Sequence, residues 1–517
     1  MQKEKVMKTV FALSHDNTNK PLALLAGPLE DHLLFKVQTQ GLIVHGTQIP
    51  HSNISPGMGH LIPLLELAKL LALHHDFGVT CIIPILGSPS KAMIGVLEAL
   101  PTSVDHVFLP PLCLEDDLQG AEPGIQISLT ITRSFPSLRD VLKSLQATSP
   151  LDAFILDTSA SDALAVAKEL NISPYIFFSS NATVLSLLLH LSKLDETFSC
   201  EYKDLPEPLK LPGCIPIHGR DLIHSIQDRK SEWYRLFLRH TKRLHSVKGI
   251  IVNTFTDLEE RVIKALEEEK EAGYPPLYPI GPIIQTGSRT SNEVDGSKCL
   301  TWLDNQPGGS VLYVSFGSAG SLSNDQLNEL ALGLELSGEK FLWVVRSPNN
   351  GPANAAYLSN QSHDLDPLAF LPEGFVERTK GQGLVVPSWA PQVQVLSHGS
   401  TGGFLTHCGW NSTLESIMNG TPLIAWPLFG EQRMNAVFLA EDLKVALRPK
   451  GNEKGVVVRE EIAQVIKGLM VGEDGKNARN RMKDLKVAAE KALYPDGSST
   501  RALSELPFKR DFKPRRF

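Results

Sequence analysis

Short apolar, β-branched runs alternate with longer helical patterns along the chain from about residue 78 onward. In the first half, the pattern predicts strands at 79–86, 153–156 and 175–178 and helices at 162–170 and 181–194. Such alternation is typical of parallel sheets whose faces are covered by helices. The pattern therefore predicts an α/β protein.

The second half repeats the alternation. Ser323 and Gln326 have the spacing of a capping box, which opens a helix through Leu336, and Gly338 suits its C-terminal cap. The other elements predicted here are strands at 310–316, 341–345, 383–386, 403–406 and 422–425 and helices beginning near Asn411, Glu431, Arg459 and Ala478. The two halves therefore predict two sheets.

A segment rich in proline, glycine and polar residues separates the halves at 274–297 and is typical of a linker. The predicted domains are an atypical leader at 1–54, an N-terminal domain at 55–275, a linker at 276–297, a C-terminal domain at 298–504 and an atypical basic tail at 505–517. Two doubly wound domains joined in this way place a ligand cleft between the carboxyl ends of their strands.

Composition excludes several classes of function. A net charge of -7 offers no electrostatic attraction to nucleic acid, so a small molecule is the expected partner. Six cysteines without a C-x-x-C pair predict neither a disulfide framework nor a structural zinc site. The chain shows no signal-peptide pattern and no apolar run long enough to span a membrane, so we expect a cytoplasmic protein.

Two short motifs carry candidate chemistry. His407 to Ser412 follow a predicted strand and open a helix, so free backbone N–H groups there favour an anionic pyrophosphate. His60 ends the motif Ser-Pro-Gly-Met-Gly-His before another helix, whose positive end favours a neutral imidazole able to act as a base. Asp157 ends a predicted strand at its carboxyl end. On the residues alone, His407 is as readily structural as functional, and His60 and Asp157 are more readily structural.

The 44 residues from Trp389 to Gln432 closely resemble the donor-binding signature box of plant family-1 UDP-glycosyltransferases. Similarity of the same kind extends over about 55–504 and is greatest to the subgroup that glucosylates hydroquinone and related phenols. The resemblance implies a GT-B fold, with two doubly wound Rossmann-like domains facing each other across a cleft. It places the acceptor on the N-terminal domain and the UDP-sugar on the C-terminal domain.

The resemblance also implies roles for individual residues of the donor site. It assigns eleven positions to the UDP-sugar: Ser318, Trp389, Ala390, Gln392, His407, Trp410, Asn411, Ser412, Glu415, Glu431 and Gln432. Trp389 is expected to stack on uracil, and Gln392 and Glu415 to bind the ribose hydroxyls. Both members of the pair Glu431 and Gln432 are expected to bind sugar hydroxyls, and the glutamine accompanies a preference for glucose.

For the diphosphate, the resemblance implies donors from His407, Asn411, Ser412 and the hydroxyl of Ser318. Trp410 is expected to lie beside the sugar through its backbone. No metal ion or cofactor is expected. Asp364 and Asp366 form a D-x-D pattern, but they fall in a long predicted loop without a neighbouring strand, so we set a metal site aside.

The implied reaction is a direct displacement. His60 removes the proton of the acceptor hydroxyl, and the oxygen attacks the anomeric carbon opposite UDP, which inverts the configuration. Asp157 orients the imidazole and stabilises its charged form. The expected protein is therefore a monomeric, inverting UDP-glucose-dependent O-glucosyltransferase for small phenolic acceptors.

Three departures from the family pattern leave an alternative open. The residues before the His60 motif, 46–54, carry Pro50 and polar groups that suit a central strand badly, so the first strand is expected to be disturbed. The basic tail predicts a shortened helix returning to the first domain, and 158–160 predict a wider acceptor pocket. The alternative is a catalytically impaired nucleotide-sugar-binding protein. A nicotinamide oxidoreductase is disfavoured because no G-x-G-x-x-G fingerprint occurs.

Overall fold

The computed structural model describes residues 39–43, 58–74, 77–85, 88–89, 91–112, 123–285, 293–318, 320–349 and 366–508. These residues form two parallel sheets, each covered by helices. We call the seven-stranded sheet with its helices the first lobe, and the six-stranded sheet with its helices the second lobe. The prediction of an α/β protein built on two sheets is confirmed.

The first sheet has the strand order β3-β2-β1-β4-β5-β6-β7, and all of its pairings are parallel. Its strands are β1 Thr39–Ile43, β2 Gly78–Ile83, β3 Val104–Phe108, β4 Phe154–Asp157, β5 Pro174–Phe178, β6 Gly249–Val252 and β7 Leu277–Pro279. Its helices are α1 Met58–His74, α2 Lys91–Glu98, α3 Pro123–Arg133, α4 Phe135–Thr148, α5 Leu164–Glu169, α6 Ala182–Thr197, α7 Glu232–Arg243 and α8 Thr256–Glu268. The strand order reverses at β1 and β4, which is where such sheets place ligands.

The second sheet has the order β10-β9-β8-β11-β12-β13 and is parallel throughout. Its strands are β8 Val311–Ser315, β9 Lys340–Val345, β10 Gly383–Pro387, β11 Thr401–Thr406, β12 Leu423–Ala425 and β13 Ala446–Leu447. The remaining helices are α9 Glu293–Asp304, α10 Asn324–Ser337, α11 Phe375–Arg378, α12 Gln392–Ser397, α13 Trp410–Asn419, α14 Gln432–Val437, α15 Arg459–Met470, α16 Glu473–Ala492 and α17 Ser498–Ser504. Here the order reverses between β8 and β11.

Local sequence signals account for several helix ends. The Ser323 hydroxyl accepts a hydrogen bond from the Gln326 N–H, and Gly338 closes α10 in the left-handed conformation at φ 69°, as predicted. The start predicted for α16 near Ala478 was wrong, because the helix begins at Glu473. Its first turn is polar and carries a glycine, so the apolar spacing did not reveal it.

The first strand lies within the leader predicted at 1–54. The backbone of β1 pairs with β2 from Thr39 to Ile43 and with β4 at Gly41 and Leu42. The first sheet therefore has a strand at the central position where the sequence pattern predicts a disturbance. The stretch 46–54, on which that prediction was based, lies outside the described residues.

The C-terminal segment returns to the first lobe. Leu503, Leu506 and Phe508 are buried in the core beneath the first sheet, and the Phe508 ring meets Phe77 and Tyr175 edge-on at 5.7 and 5.1 Å. Aromatic pairs favour this geometry. The last helix, α17, ends at Ser504, immediately before the predicted tail, and the chain keeps its contact with the first lobe through Phe508.

No helix among the described residues is long and apolar enough to cross a membrane.

Candidate active site

The carboxyl ends of both sheets converge on one cleft. Asp157 ends β4 of the first sheet, and His407 follows β11 of the second sheet. The N-termini of α1 and α13 meet between them, where the Asn411 side chain donates a hydrogen bond of 2.9 Å to the Gly59 carbonyl. The two motifs found in the sequence are thus adjacent in space although they lie 352 residues apart.

His60 and Asp157 form a direct pair. Nδ1 of His60 lies 2.9 Å from Oδ2 of Asp157, whose side chain is fully buried, while the His60 side chain is 43% exposed. The other carboxylate oxygen, Oδ1, accepts hydrogen bonds from the backbone N–H and the hydroxyl of Ser159. The carboxylate is therefore held in place from both sides, and Nδ1 of the imidazole is used for orientation, which leaves Nε2 for chemistry.

The environment of His60 differs from the predicted one. The negative charge of Asp157 raises the pKa of His60 to about 9, against the opposing effect of burial, and the hydrogen bond to Asp157 and the charge of Glu431 act in the same direction. The prediction that the helix end keeps this imidazole neutral was wrong, because a contacting carboxylate outweighs a helix end. The effect of Glu431 also places His60 within electrostatic reach of the end of the signature box, where the sugar was predicted to bind.

His407 has the opposite environment. Burial lowers the pKa of His407 to about 4, and its Nδ1 is a buried atom with no hydrogen-bond partner among the described residues. Its imidazole packs against two glycines: a methyl group on Gly317 would lie 2.6 Å from Nε2, and one on Gly409 would lie 2.4 Å away. A neutral ring with an unused buried nitrogen is costly unless a ligand supplies the partner.

The predicted ribose ligands lie together. Nε2 of Gln392 donates to the Ser412 hydroxyl at 2.9 Å and to Oε2 of Glu415 at 2.7 Å. Glu415 is buried within α13, and Tyr313 lies behind Gln392 with its hydroxyl 3.5 Å from Oε1. The amide thus orients the carboxylate that was predicted to accept the ribose hydroxyl protons.

Trp389 and Ser318 lie in turns that follow β10 and β8. Ser388 takes the left-handed conformation at φ 64°, which turns the chain sharply before Trp389. The indole of Trp389 is only partly buried, so a base can reach it, whereas Ala390 is buried. Ser318 is exposed in the turn after Gly317.

At the end of the signature box, Gln432 has fewer free hydrogen-bonding groups than predicted. Oε1 of the buried Gln432 accepts hydrogen bonds from the N–H groups of Leu428 and Phe429 at 2.8 and 3.0 Å. These bonds commit the oxygen of Gln432 to the loop, so the side-chain NH₂ is the group left to meet a sugar hydroxyl. Glu431 is half-buried at the start of α14.

Trp410 serves the interface between the lobes. Its indole is 3% exposed, and Nε1 donates to the Asn253 carbonyl of the first lobe at 2.7 Å. The side chain therefore anchors the start of α13, and a contact with the donor through the Trp410 backbone stays a prediction. Of the D-x-D pattern, Asp364 lies outside the described residues, and Asp366 accepts from the Leu368 N–H as a helix cap.

Sequence reasoning missed three polar residues around the donor turns. Arg346, at the end of β9, donates to the Gly317 carbonyl at 3.4 Å, and burial lowers the pKa of its guanidinium to about 10. Among the described residues, no carboxylate is paired with it. Asn181 and Asn435 are fully buried between the lobes. Asn435 was missed because it lies three positions beyond the end of the signature box. At Asn181, the only signal in the sequence was the preference for asparagine at the start of a helix.

Comparison with known proteins gives a consistent result. A profile of the family described as UDP-glucoronosyl and UDP-glucosyl transferase matches residues 232–451. The hydroquinone glucosyltransferase of Rauvolfia serpentina is 58% identical over 455 residues, which cover 88% of this chain and 96% of that protein. The chain belongs to the UDP-glucoronosyl and UDP-glucosyl transferase family. The UDP-glycosyltransferase 72B1 of Arabidopsis thaliana is 54% identical over 466 residues, 90% of this chain and 96% of that protein.

Solved structures of family members agree. The Phytolacca americana UGT2 complexed with UDP-2fluoro-glucose and pterostilbene is 50% identical with a TM-score of 0.81, covering 90% of this chain and 98% of that one. A UDP-glucosyltransferase from Polygonum tinctorium capable of glucosylating indoxyl is 49% identical with a TM-score of 0.82, covering 91% and 98%. The protein is a plant-type UDP-glycosyltransferase with the GT-B fold.

Proposed function

We propose that the protein transfers glucose from UDP-glucose to the hydroxyl of a small phenolic acceptor with inversion at the anomeric carbon. The observation that carries the proposal is the His60–Asp157 pair, with Nδ1 to Oδ2 at 2.9 Å, beside the start of α13. A base that faces the end of the donor-binding helix is the arrangement that an in-line displacement requires.

The pKa of the His60 imidazole is close to that of a phenolic acceptor. An imidazole with a pKa of about 9 is close in basicity to a phenolate, whose parent phenol has a pKa of about 10, so little free energy is lost in the proton transfer. An aliphatic alcohol is a much weaker acid and matches this base less well. The hydroquinone glucosyltransferase among the relatives acts on such a phenol, as its name states.

The donor half supplies stabilisation for the leaving group. As UDP departs, negative charge develops on the diphosphate, beside the first N–H groups of α13 and the side chains of His407, Asn411 and Ser412. His407 acts there as a neutral hydrogen-bond donor. No metal ion takes part in the proposed step, and we keep the predictions of a monomer in the cytoplasm, which size-exclusion chromatography and a fluorescent fusion test.

Incubation with UDP-glucose and hydroquinone tests the proposal. We expect UDP release that depends on the phenol, unchanged by a chelator, and a β-glucoside by proton NMR, because UDP-glucose carries the sugar in the α configuration. A retained α configuration contradicts the inverting mechanism. UDP-galactose in place of UDP-glucose tests the preference for glucose. Tight UDP binding without turnover on any phenol identifies the alternative, a catalytically impaired nucleotide-sugar-binding protein.

A further inference from the structure

A chain of buried side-chain amides connects the first lobe to the donor turn. Nδ2 of Asn181 donates to Oδ1 of Asn435 at 2.6 Å, and Nδ2 of Asn435 donates to the Cys408 carbonyl at 2.9 Å. Both asparagines are fully buried and lie 254 residues apart in the sequence. Each amide donates one of these bonds in a fixed direction, so the chain orients the Cys408 carbonyl from the opposite lobe.

The first-lobe end of this chain is rigid. Asn181 caps α6 through Oδ1, which accepts from the Val184 N–H at 2.8 Å. The next two N–H groups, those of Ala182 and Thr183, donate to the carboxylate of the buried Glu259 at 2.8 Å each. Because the first turn of α6 is fully occupied, Asn181 has little freedom to move. The chain of amides therefore begins on a fixed platform.

The second-lobe end is a strained turn. Cys408 is fully buried and takes the left-handed conformation at φ 64°, which costs about 1 kcal/mol or more for a residue with a side chain. A planar trans peptide points its C=O and the following N–H in opposite directions. Because the Cys408 carbonyl points into the core at Asn435, the Gly409 N–H points away from the core.

The Gly409 N–H lies where the diphosphate is expected. Gly409 is the N-cap of α13, and the imidazole of His407 packs directly against it. Among the described residues, the Gly409 N–H has no hydrogen-bond partner, and the same holds for Nδ1 of His407. An unused backbone donor and an unused imidazole nitrogen in one turn at a helix start favour one anion.

We infer that Asn435 is a positioning residue that holds the Gly409 N–H toward the diphosphate of the donor, with Asn181 as its support from the first lobe. This inference rests on the proposed donor site. It adds a backbone donor to the side chains that the family resemblance assigns, and it makes donor affinity depend on a contact between the lobes. Without Asn435, the Cys408–Gly409 peptide is free to rotate out of the strained conformation, and the N–H loses its direction.

A second contact between the lobes makes the proposed role of Asn435 specific to the turn at Cys408 and Gly409. The Trp410 indole already joins α13 to the Asn253 carbonyl of the first lobe, so Asn435 is not required to keep the lobes together. A purely structural asparagine affects all ligands of the second lobe alike. A positioning asparagine affects only ligands that carry the diphosphate, because the uracil and ribose contacts at Trp389, Gln392 and Glu415 lie elsewhere.

Calorimetric titration with UDP and with uridine tests the inference. For Asn435→Leu, which keeps the branched shape of the side chain and removes both hydrogen bonds, we expect UDP affinity to fall about tenfold, the effect of one hydrogen bond to a charged group, while uridine affinity stays within about twofold. Asn435→Ser is the second variant, since it replaces a buried amide with a smaller polar group and is easier to accommodate. Asn181→Thr keeps a cap for the Val184 N–H but cannot reach Asn435, and we expect a loss of about threefold for UDP alone.

Asn419→Leu is the control, since it removes the same kind of side chain at the C-terminal end of α13, where the Asn419 amide donates within the helix to the Glu415 carbonyl. It should leave the ratio of UDP to uridine affinity unchanged. Equal losses for UDP and uridine in both Asn435 variants, or no loss in either, overturn the inference. Failure of the unaltered protein to bind UDP overturns the proposed function instead, so the two failures are distinguishable.

Discussion

Two histidines on opposite sides of one cleft have opposite acid strengths. His60 touches a buried carboxylate, and its pKa is raised to about 9, whereas His407 is buried against glycines without a charged partner, and its pKa is lowered to about 4. At neutral pH the first imidazole is mostly protonated and acts as a base through its deprotonated fraction, which grows as the pH approaches 9, whereas the second imidazole is neutral. The same side chain thus becomes a base in one lobe and an uncharged hydrogen-bond donor in the other, and the neighbours alone make the difference.

This difference between the two pKa values suits the proton and charge movements of the proposed reaction. A proton leaves the acceptor in the transition state, so the group beside the acceptor must gain stability as it becomes charged, and Asp157 provides this. The leaving diphosphate needs donors already in place when its charge develops, and a neutral His407 provides one without exchanging a proton. Substitutions at four residues test this contrast.

The largest effect is expected at His60. His60→Ala removes the base, and we expect kcat with hydroquinone to fall by about 10³- to 10⁴-fold, within the range of general base catalysis, with UDP affinity unchanged by calorimetry. His60→Gln should fall as far, because an amide does not accept the proton. A joint collapse of UDP affinity and turnover contradicts the separation of acceptor and donor roles.

Asp157→Asn is expected to have the next largest effect. The isosteric amide removes the charge that raises the pKa of His60, so this pKa should move from about 9 back toward its usual value near 6.5. In the unaltered protein the imidazole is protonated below about pH 9, so log(kcat/KM) should rise with pH and level off near 9. In the variant the plateau should begin near 6.5 and lie about a hundredfold lower.

The same acceptor and buffer series for both proteins serves as the control for ionisation of the phenol itself. If log(kcat/KM) rises over the same pH range in Asp157→Asn as in the unaltered protein, the group that titrates is the acceptor or another residue. That outcome contradicts the role of the His60–Asp157 pair.

At His407, a neutral donor should be replaceable. Asparagine places an N–H near the position of Nδ1, so His407→Asn should retain most of the UDP affinity, whereas His407→Ala should lose about 10- to 100-fold, the effect of a hydrogen bond to a charged group. Uridine affinity is the control in each case. If the asparagine variant is as weak as the alanine variant, the imidazole acts by charge, and the contrast with His60 fails.

The sequence pattern was sufficient for the fold and for the identity of the paired groups. Alternating apolar runs predicted the strands because buried parallel strands are continuously apolar, and Asp157 was found because it ends such a run. The position of the first strand was not predicted, since the run from Thr39 to Ile43 is short and contains polar residues and a glycine. Its backbone pairs with β2 and β4, which are distant in sequence from a short run of this kind.

The environments of the site residues depended on contacts that are distant in sequence. The prediction from the helix end considered only residues within one turn of His60. The Asp157 carboxylate that contacts His60 is 97 residues away in the sequence. The bond from Asn181 to Asn435 spans 254 residues, and neither asparagine has a local pattern that points to the other. Residue identities are thus readable from motifs, but pKa values and buried amide pairs follow only from the packed lobes.

The smallest effect is expected at Arg346, and it extends the contrast from hydrogen bonding to charge. Its largely buried guanidinium donates to the Gly317 carbonyl beside His407, and an electrostatic contribution of about 1 kcal/mol to diphosphate binding corresponds to about a fivefold loss of UDP affinity in Arg346→Met. Arg378→Met is the control, because it removes the same charge from an exposed pair with Glu335. Most of the loss should persist when the titration is repeated in about 1 M salt, since salt screens a buried charge much less than an exposed one. Equal UDP affinities for both variants and the unaltered protein would mean that the diphosphate is held by uncharged donors alone, with His407 as the model for the whole donor site.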